Sequence, residues 1–377
     1  MLTVTTRAAR YLRLAVWAAA AYFIPGARAL DPHRTLTQYS HQQWGQQDGL
    51  PQDTIRSIAQ TTDGYLWLGT DEGLARFDGF EFTVFSKPGA DLPANSITAL
   101  TASPDGSLWI GTSSGLAQYH GGQFRTYTVK DGLPDNNITG LYSDEAGILW
   151  VVAGINLCRY QAGKFTTFAP GPDLPVTSVR VVREDRQHHL LVGGYNGVVK
   201  LLDGKATFLL DAARLGGDVI ISLLSDRDDN LWVAGSAGLI ERTAGGEFRR
   251  FDRHSGLPND VVRSVLQDRD GNIWAATNGG IARLDGDRFV VPSTGSESDL
   301  VRILFEDREG DLWVGGNHGL TRLRDDAFTV YGKPEGLPRK RQRLRSNGQV
   351  EHRVPTPTTS RPGIAGSQNL GEAEWSW

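Results

Sequence analysis

Six tryptophans, Trp67, Trp109, Trp150, Trp232, Trp274 and Trp313, fall at one recurring place in this chain, and Leu191 holds the same place between the third and the fourth. Successive intervals are 42, 41, 41, 41, 42 and 39 residues. A repeat of about 40 to 45 residues, with short apolar runs separated by Gly-bearing turns, is what a four-stranded propeller blade requires. Helical repeats of similar length would need apolar residues at spacings of three and four, and the repeats do not show them. The expected fold is all-β, a seven-bladed β-propeller with four-stranded blades over residues 36–338.

Val261 to Val291 shows one unit. Val261, Val262, Val265 and Leu266 begin it, Asp268-Arg269-Asp270-Gly271-Asn272 turns, and Ile273-Trp274-Ala275-Ala276-Thr277 follows. Asn278-Gly279-Gly280 then leads to Ile281-Ala282-Arg283-Leu284, and a last Gly turn leads to Phe289-Val290-Val291. That is four strands, A to D, joined by tight hairpins. Between units stand Gly49-Leu50-Pro51, Asp91-Leu92-Pro93, Gly132-Leu133-Pro134, Asp173-Leu174-Pro175, Gly256-Leu257-Pro258 and Gly336-Leu337-Pro338. Proline is excluded from a central ladder, so these mark blade-to-blade connections. Thr37 to Trp44 aligns with the D strands Phe124 to Thr128 and Phe328 to Tyr331, and is expected to pair at an edge and help close the ring.

The ends differ from the repeats. Arg7, Arg10 and Arg13 precede an apolar stretch, Leu14 to Ile24, and Ala27-Arg28-Ala29 follows. This order describes a secretory signal peptide over residues 1–29, with an uncleaved membrane anchor as the weaker alternative. The stretch is marginal for a bilayer span. Residues 339–377 open with five basic residues in seven and continue rich in Pro, Thr, Ser and Gly, the composition of a disordered tail. Its abrupt start at a repeat junction is expected of a truncated or frame-shifted coding sequence.

Lys and Arg number 39 against 43 Asp and Glu. With no basic stripe visible along the repeats, no nucleic-acid partner is expected. Cys158 is the sole cysteine, so no internal disulfide can form. It falls in the slot of Ala75, Ala117 and Ala282 and is read as a packed thiol.

The motifs Asp48-Gly49-Leu50-Pro51, Thr62-Asp63-Gly64-Tyr65-Leu66-Trp67-Leu68-Gly69-Thr70 and Gly73-Leu74-Ala75-Arg76-Phe77-Asp78-Gly79 resemble the two-component regulator propeller family. Gln267 to Trp274 and Glu306 to Trp313 repeat the same pattern, and the resemblance covers residues 36–338. It implies an extracytoplasmic sensor, in relatives with two such rings, a β-sandwich, a membrane helix and a cytoplasmic histidine kinase, diguanylate cyclase or DNA-binding output. One ring is legible in this sequence and none of the output segments.

Candidate sites are few. The repeated Trp residues could stack on sugars, but alternation with Leu66, Leu108, Leu149 and Leu312 in a central strand assigns them to packing between blades. Asp226 to Asn230 and Asp268 to Asn272 resemble the opening of a calcium loop, yet the glutamate such a loop needs is missing and hairpin turns explain them. His188 and His189 replace Gly-Asn at a turn in the blade lacking its Trp, so both imidazoles are expected to project at an exposed loop tip, and further metal ligands are not legible. His254 and His318 stand alone in sequence. No catalytic set, metal site or cofactor is expected, and the ligand-binding residues are unknown at this level.

Three function classes remain. The first is a sensor taking a small extracytoplasmic ligand, such as a glycan fragment, at the ring's central opening. The second is a protein-interaction ring. The third is an enzyme like the streptogramin lyases, which resemble the repeat but carry Trp-Phe-Thr where this chain has Trp67-Leu68-Gly69-Thr70.

Overall fold

Seven four-stranded antiparallel sheets succeed one another around a ring, as the repeat period requires. The structure is a computed structural model and describes residues 30, 39–86, 90–202, 204–216, 219–291 and 300–325. Blade one runs Ile55–Gln60, Leu66–Thr70, Leu74–Phe77 and Phe82–Phe85, in the strand order A, B, C, D. Blade six runs Val262–Gln267, Ile273–Thr277, Gly280–Asp285 and Arg288–Val290. The A strands of neighbouring blades lie side by side all the way round, so they line the centre, and D lies outermost. Residues 1–29 and 326–377, which include the segments read as signal peptide and tail, lie outside the described residues.

Each B strand is covered on both faces, because a blade in a ring has a neighbour on either side. In Leu66–Thr70 every residue is buried. Alternation sends Leu66 and Leu68 toward blade seven, where they join Trp313 and Leu320, and Trp67 toward blade two, where it joins Leu108 and Ile110. Seven such apolar clusters fill the seven blade interfaces. The tryptophans therefore pack between blades, as expected. Glycine in Leu-Trp-x-Gly has a steric reason: a Cβ on Gly69 would lie 2.6 Å from Ile97 Cγ2, the first A-strand residue of the next blade, and Gly111 faces Ile138 likewise at 2.7 Å.

The Leu-Pro markers lie between D and A strands, with Leu50, Leu92, Leu133, Leu174 and Leu257 buried under the crossings. Between blades four and five the motif is missing; a single helical turn, Ala212–Leu215, capped by Asp211, buries Leu215 there instead.

Closure uses the N-terminal segment, as its alignment with the D strands predicts. Blade seven contributes Val301–Glu306, Leu312–Gly316 and Gly319–Arg324, and its outermost place is taken by Ser40–Trp44 from the chain's beginning. The registers run from Ser40 opposite Arg324 to Trp44 opposite Leu320. Phe328 to Tyr331, read as the D strand of this blade, lies outside the described residues, and the D position it was assigned is already filled. Only one strand can pair with the free edge of Gly319–Arg324, and the N-terminal one brings Trp44 onto Trp313 and Phe77, with ring centroids 5.6 and 5.2 Å apart.

Candidate functional site

The feature that gathers chemistry at one place is a bulge repeated in all seven A strands. The register between A and B slips between Ile55 and Ser57, Ile97 and Ala99, Ile138 and Gly140, Val179 and Val181, Ile220 and Ser222, Val262 and Ser264, and Val301 and Ile303. The skipped residue is always the second of the strand: Arg56, Thr98, Thr139, Arg180, Ile221, Arg263 and Arg302. A bulge leaves the extra residue outside the ladder and re-aims its side chain. Seven side chains from seven blades thus form a rim where the A strands begin.

Inside that rim lies a cavity of about 520 Å³, lined by Arg56, Thr98, Ile221, Arg263 and Arg302 and, deeper, by A-strand residues including Ser222 and Ser264. The rim is uneven in charge. Arg56 is held by both oxygens of Asp71, the second contact at 3.0 Å, and Asp71 also accepts from Ser96. Arg263 and Arg302 occupy the same position in blades six and seven, but each donates its Nε to an amide, Asn278 Oδ1 at 2.8 Å and Asn317 Oδ1 at 3.1 Å. Burial lowers the Arg302 pKa, and the charges of Arg56 and Arg263 lower it further, against the pull of Asp71. Arg180, in blade four, sits over the Tyr195 ring at 5.5 Å.

Lower in the wall, Glu184 and Tyr142 are joined at 3.2 Å. Burial raises the Glu184 pKa, opposed by the Tyr142 hydroxyl it accepts from, and burial together with the Glu184 charge raises that of Tyr142. Beside them Arg183 donates to its neighbour's carbonyl, Val182, at 2.8 Å, and burial pulls its pKa down.

The residues singled out in the sequence lie elsewhere. The acidic turns receive the tryptophans: the indole Nε1 of Trp232 donates to Asp226 at 2.8 Å, Trp274 to Asp268 at 2.8 Å, Trp313 to Asp307 at 2.6 Å and Trp150 to Asp144 at 3.2 Å. In blade one Thr61 accepts from Trp67 at 2.9 Å. A buried indole needs such a partner, so these turns are tryptophan acceptors as well as hairpins. Blade four has Asp185 in the same slot but Leu191 for the Trp, and Lys200 fills the vacancy with its Nζ 2.6 Å from the carboxylate. His189 does not project from the turn as read from the sequence: it is half-buried, with Nδ1 3.1 Å from Asp185. Burial opposes the charge on Asp185, but the hydrogen bonds from Lys200 and His189 prevail and its pKa falls. His188 is exposed, and His254 lies 3.4 Å from Asp252. Among the described residues no group of three or more His, Cys, Asp or Glu side chains could hold a metal ion. Cys158 is fully buried opposite Val151 in the small-residue slot, and burial raises its pKa.

The rim arginines were missed. Read along the chain they are isolated residues 39 to 124 positions apart, so no basic stripe is visible. Aligning the A strands would have found them, since Arg follows the first apolar residue in four of seven repeats.

The ring is thus a seven-bladed propeller whose repeats each supply one interface and one bulged residue, five of them with a hydrogen-bonded tryptophan. The sequence model described as two component regulator propeller matches residues 49–72, 91–114, 132–153 and 256–279, each match running from a Leu-Pro connection into or through a B strand. Four of the seven repeats thus match that family's model. Among solved structures it is similar to the extracellular domain of a B. thetaiotaomicron protein described as a hybrid two component system, at 24% identity and a TM-score of 0.65, over 76% of this chain and 42% of that one. A second B. thetaiotaomicron extracellular domain, described as that of a one component system, matches at 20% identity and TM-score 0.63, over 78% of this chain and 40% of that one. This chain therefore spans about two-fifths of the length of those domains. A streptogramin B lyase matches at 16% identity and TM-score 0.62, over 77% of this chain and 99% of that one. At these identities the likeness is one of fold. No curated protein matches the sequence.

Proposed function

We propose that this ring is the extracytoplasmic sensing module of a bacterial signalling receptor, taking a small ligand such as a glycan fragment at the rim of its central cavity and passing occupancy to output domains outside the residues described. The observation that carries the reading is the bulge at the second residue of all seven A strands, which brings side chains from five of the blades, Arg56, Thr98, Ile221, Arg263 and Arg302, to one concave cavity. Four of its repeats match the two component regulator propeller model, and the solved structures it is similar to include extracellular domains of signalling proteins. The test is a ligand screen by calorimetry on wild type and Ile221→Trp, which puts an indole into the cavity. Binding at one site per chain, lost in Ile221→Trp with the melting temperature retained, is expected; binding that ignores this change sinks the reading.

The enzyme alternative has less support. A solved virginiamycin B lyase from Staphylococcus aureus is catalytically inactive after a histidine-to-alanine change. No histidine lines the cavity described here. For export, Leu30 is the informative residue: it is buried against the cluster between blades six and seven, and its carbonyl accepts from Asn272 at 3.3 Å. A mature chain beginning there would start at a docked residue. Amino-terminal sequencing of periplasmic protein is expected to begin near Leu30, and an intact Met1 terminus in the cytoplasm would refute export. No helix among the described residues is long and apolar enough to cross a membrane.

A further inference from the structure

We propose that Arg263, Arg302 and Arg56, contiguous on the rim in blades six, seven and one, hold an anionic group of the ligand, a carboxylate, sulfate or phosphate. This rests on the rim being the ligand site and adds the chemistry of what binds there. Three guanidinium groups share this arc with one paired carboxylate, Asp71, which grips Arg56 through two contacts. Among the described residues Arg263 and Arg302 make no ion pair; their partners are the neutral amides of Asn278 and Asn317. The arc therefore carries about two unbalanced positive charges at the mouth of a concave cavity.

Such an arrangement is unfavourable when empty. Both side chains are partly removed from water, which costs a charged group free energy unless a counter-charge compensates. The charges of Arg56 and Arg263 also act against Arg302, as its lowered pKa shows. An anion between them would reverse both penalties, and the planar guanidinium fork fits the paired oxygens of a carboxylate, sulfate or phosphate. Asn278 and Asn317 fix each arginine through Nε, which leaves the terminal nitrogens to the ligand. Across the mouth the rim holds Thr98, Thr139 and Ile221 and a single charge, Arg180, which sits over the Tyr195 ring, while Glu184 of the same blade lines the cavity, so the acid should lie toward blades six, seven and one and the uncharged remainder toward blades two to five.

The test is titration calorimetry of the full chain with inorganic sulfate, inorganic phosphate, galacturonate and galactose, the last two differing in a carboxylate. Wild type is expected to bind at least one of the anions, and galacturonate more tightly than galactose. In R263Q/R302Q anion affinity should fall at least tenfold with an unchanged melting temperature, whereas R263K/R302K, which keeps the charges without the fork, should lose less. If the Gln pair fails to fold, the single substitutions R263Q and R302Q are each expected to weaken the anion severalfold. Sulfate against galacturonate separates a simple oxyanion site from one requiring a sugar acid, and either supports the proposal. Galactose and galacturonate binding equally, with both lost in Ile221→Trp, would overturn the anion inference and leave the rim as the ligand site. No anion binding at all would overturn the anion inference alone, and binding unaffected by Ile221→Trp would overturn it together with the rim reading.

Discussion

A chain beginning at Gly45, and so lacking Ser40–Trp44, is expected to lose the cooperative melting of the intact ring. Without that strand the whole edge of Gly319–Arg324 is open, and an unpaired edge in a sheet is an invitation to aggregate. The interface between blades seven and one also loses Trp44, which bridges Trp313 and Phe77, and the interface between blades six and seven loses Tyr39, buried at 2%. Losing one large aromatic from a packed site costs about 3 kcal/mol or more. Two of them, with a strand's ladder, rival the whole stability of a typical domain, about 5 to 15 kcal/mol.

The register supplies the control for this experiment. Ser40 lies opposite Arg324, so the strand could equally well follow Asp325 through a short turn as a hairpin. A permuted chain with Tyr39–Trp44 moved there is expected to recover most of the lost melting temperature. Gly319→Ala should mimic the truncation in part, because at φ 90° its added Cβ would collide with the Trp44 carbonyl. A truncated protein melting within a few degrees of the intact one would show that the strand does not hold the ring shut. Calorimetric melts of the intact protein and the three variants decide it.

The parts of this molecule written in one repeat were legible before its structure. Leu66-Trp67-Leu68-Gly69-Thr70 announces a strand buried on both sides, and six further copies state how many blades there are. Cys158 could be placed by its register with Ala75, Ala117 and Ala282, which pairing with Val151 bears out. What escaped depends on pairings between distant repeats. That residues 37–44 would pair at an edge was legible from their likeness to D strands, but the similar pattern at 328–331 left two candidates for the D position of blade seven, and hydrophobic alternation does not choose between them. The rim is harder still, because Arg56 and Arg302 are 246 positions apart in sequence and become neighbours only on closure. A bulge leaves no mark on residue type, so nothing in Ile55-Arg56-Ser57 says that the arginine leaves the ladder. His189 was misplaced for a local reason: its turn lacks a Trp, and the acceptor Asp185 draws in the nearest donors instead.

Asp311→Asn is expected to stabilise the protein at neutral pH and to have little effect in acid. The fifth residue of the turn is Asn in blades five and six, where the amide donates to the tryptophan-binding carboxylate, Asn230 to Asp226 at 2.9 Å and Asn272 to Asp268 at 2.7 Å. Blade seven has Asp311 there, a second buried carboxylate beside Asp307. Burial pushes its pKa up to about 6, the Asp307 charge adds to this, and Arg324 and Arg322 offset only part. Those arginines lie 3.4 and 3.6 Å away, too far for strong ion pairs. The folded protein thus binds a proton at Asp311 more tightly than the unfolded chain, whose carboxyl titrates at the ordinary 3.8. The resulting stabilisation is fully present below that value and is lost as pH rises through about 6, after which ionised Asp311 costs up to about 3 kcal/mol. An amide removes the cost and restores the donor to Asp307, less what Arg322 and Arg324 contributed, for a net gain of about 1 to 2 kcal/mol or roughly 2 to 5 °C in Tm. Thermal melts of both proteins at pH 8 and pH 4 measure it. The gain should be present at the first and shrink toward zero at the second, and a gain of equal size at both would assign it to packing instead of charge.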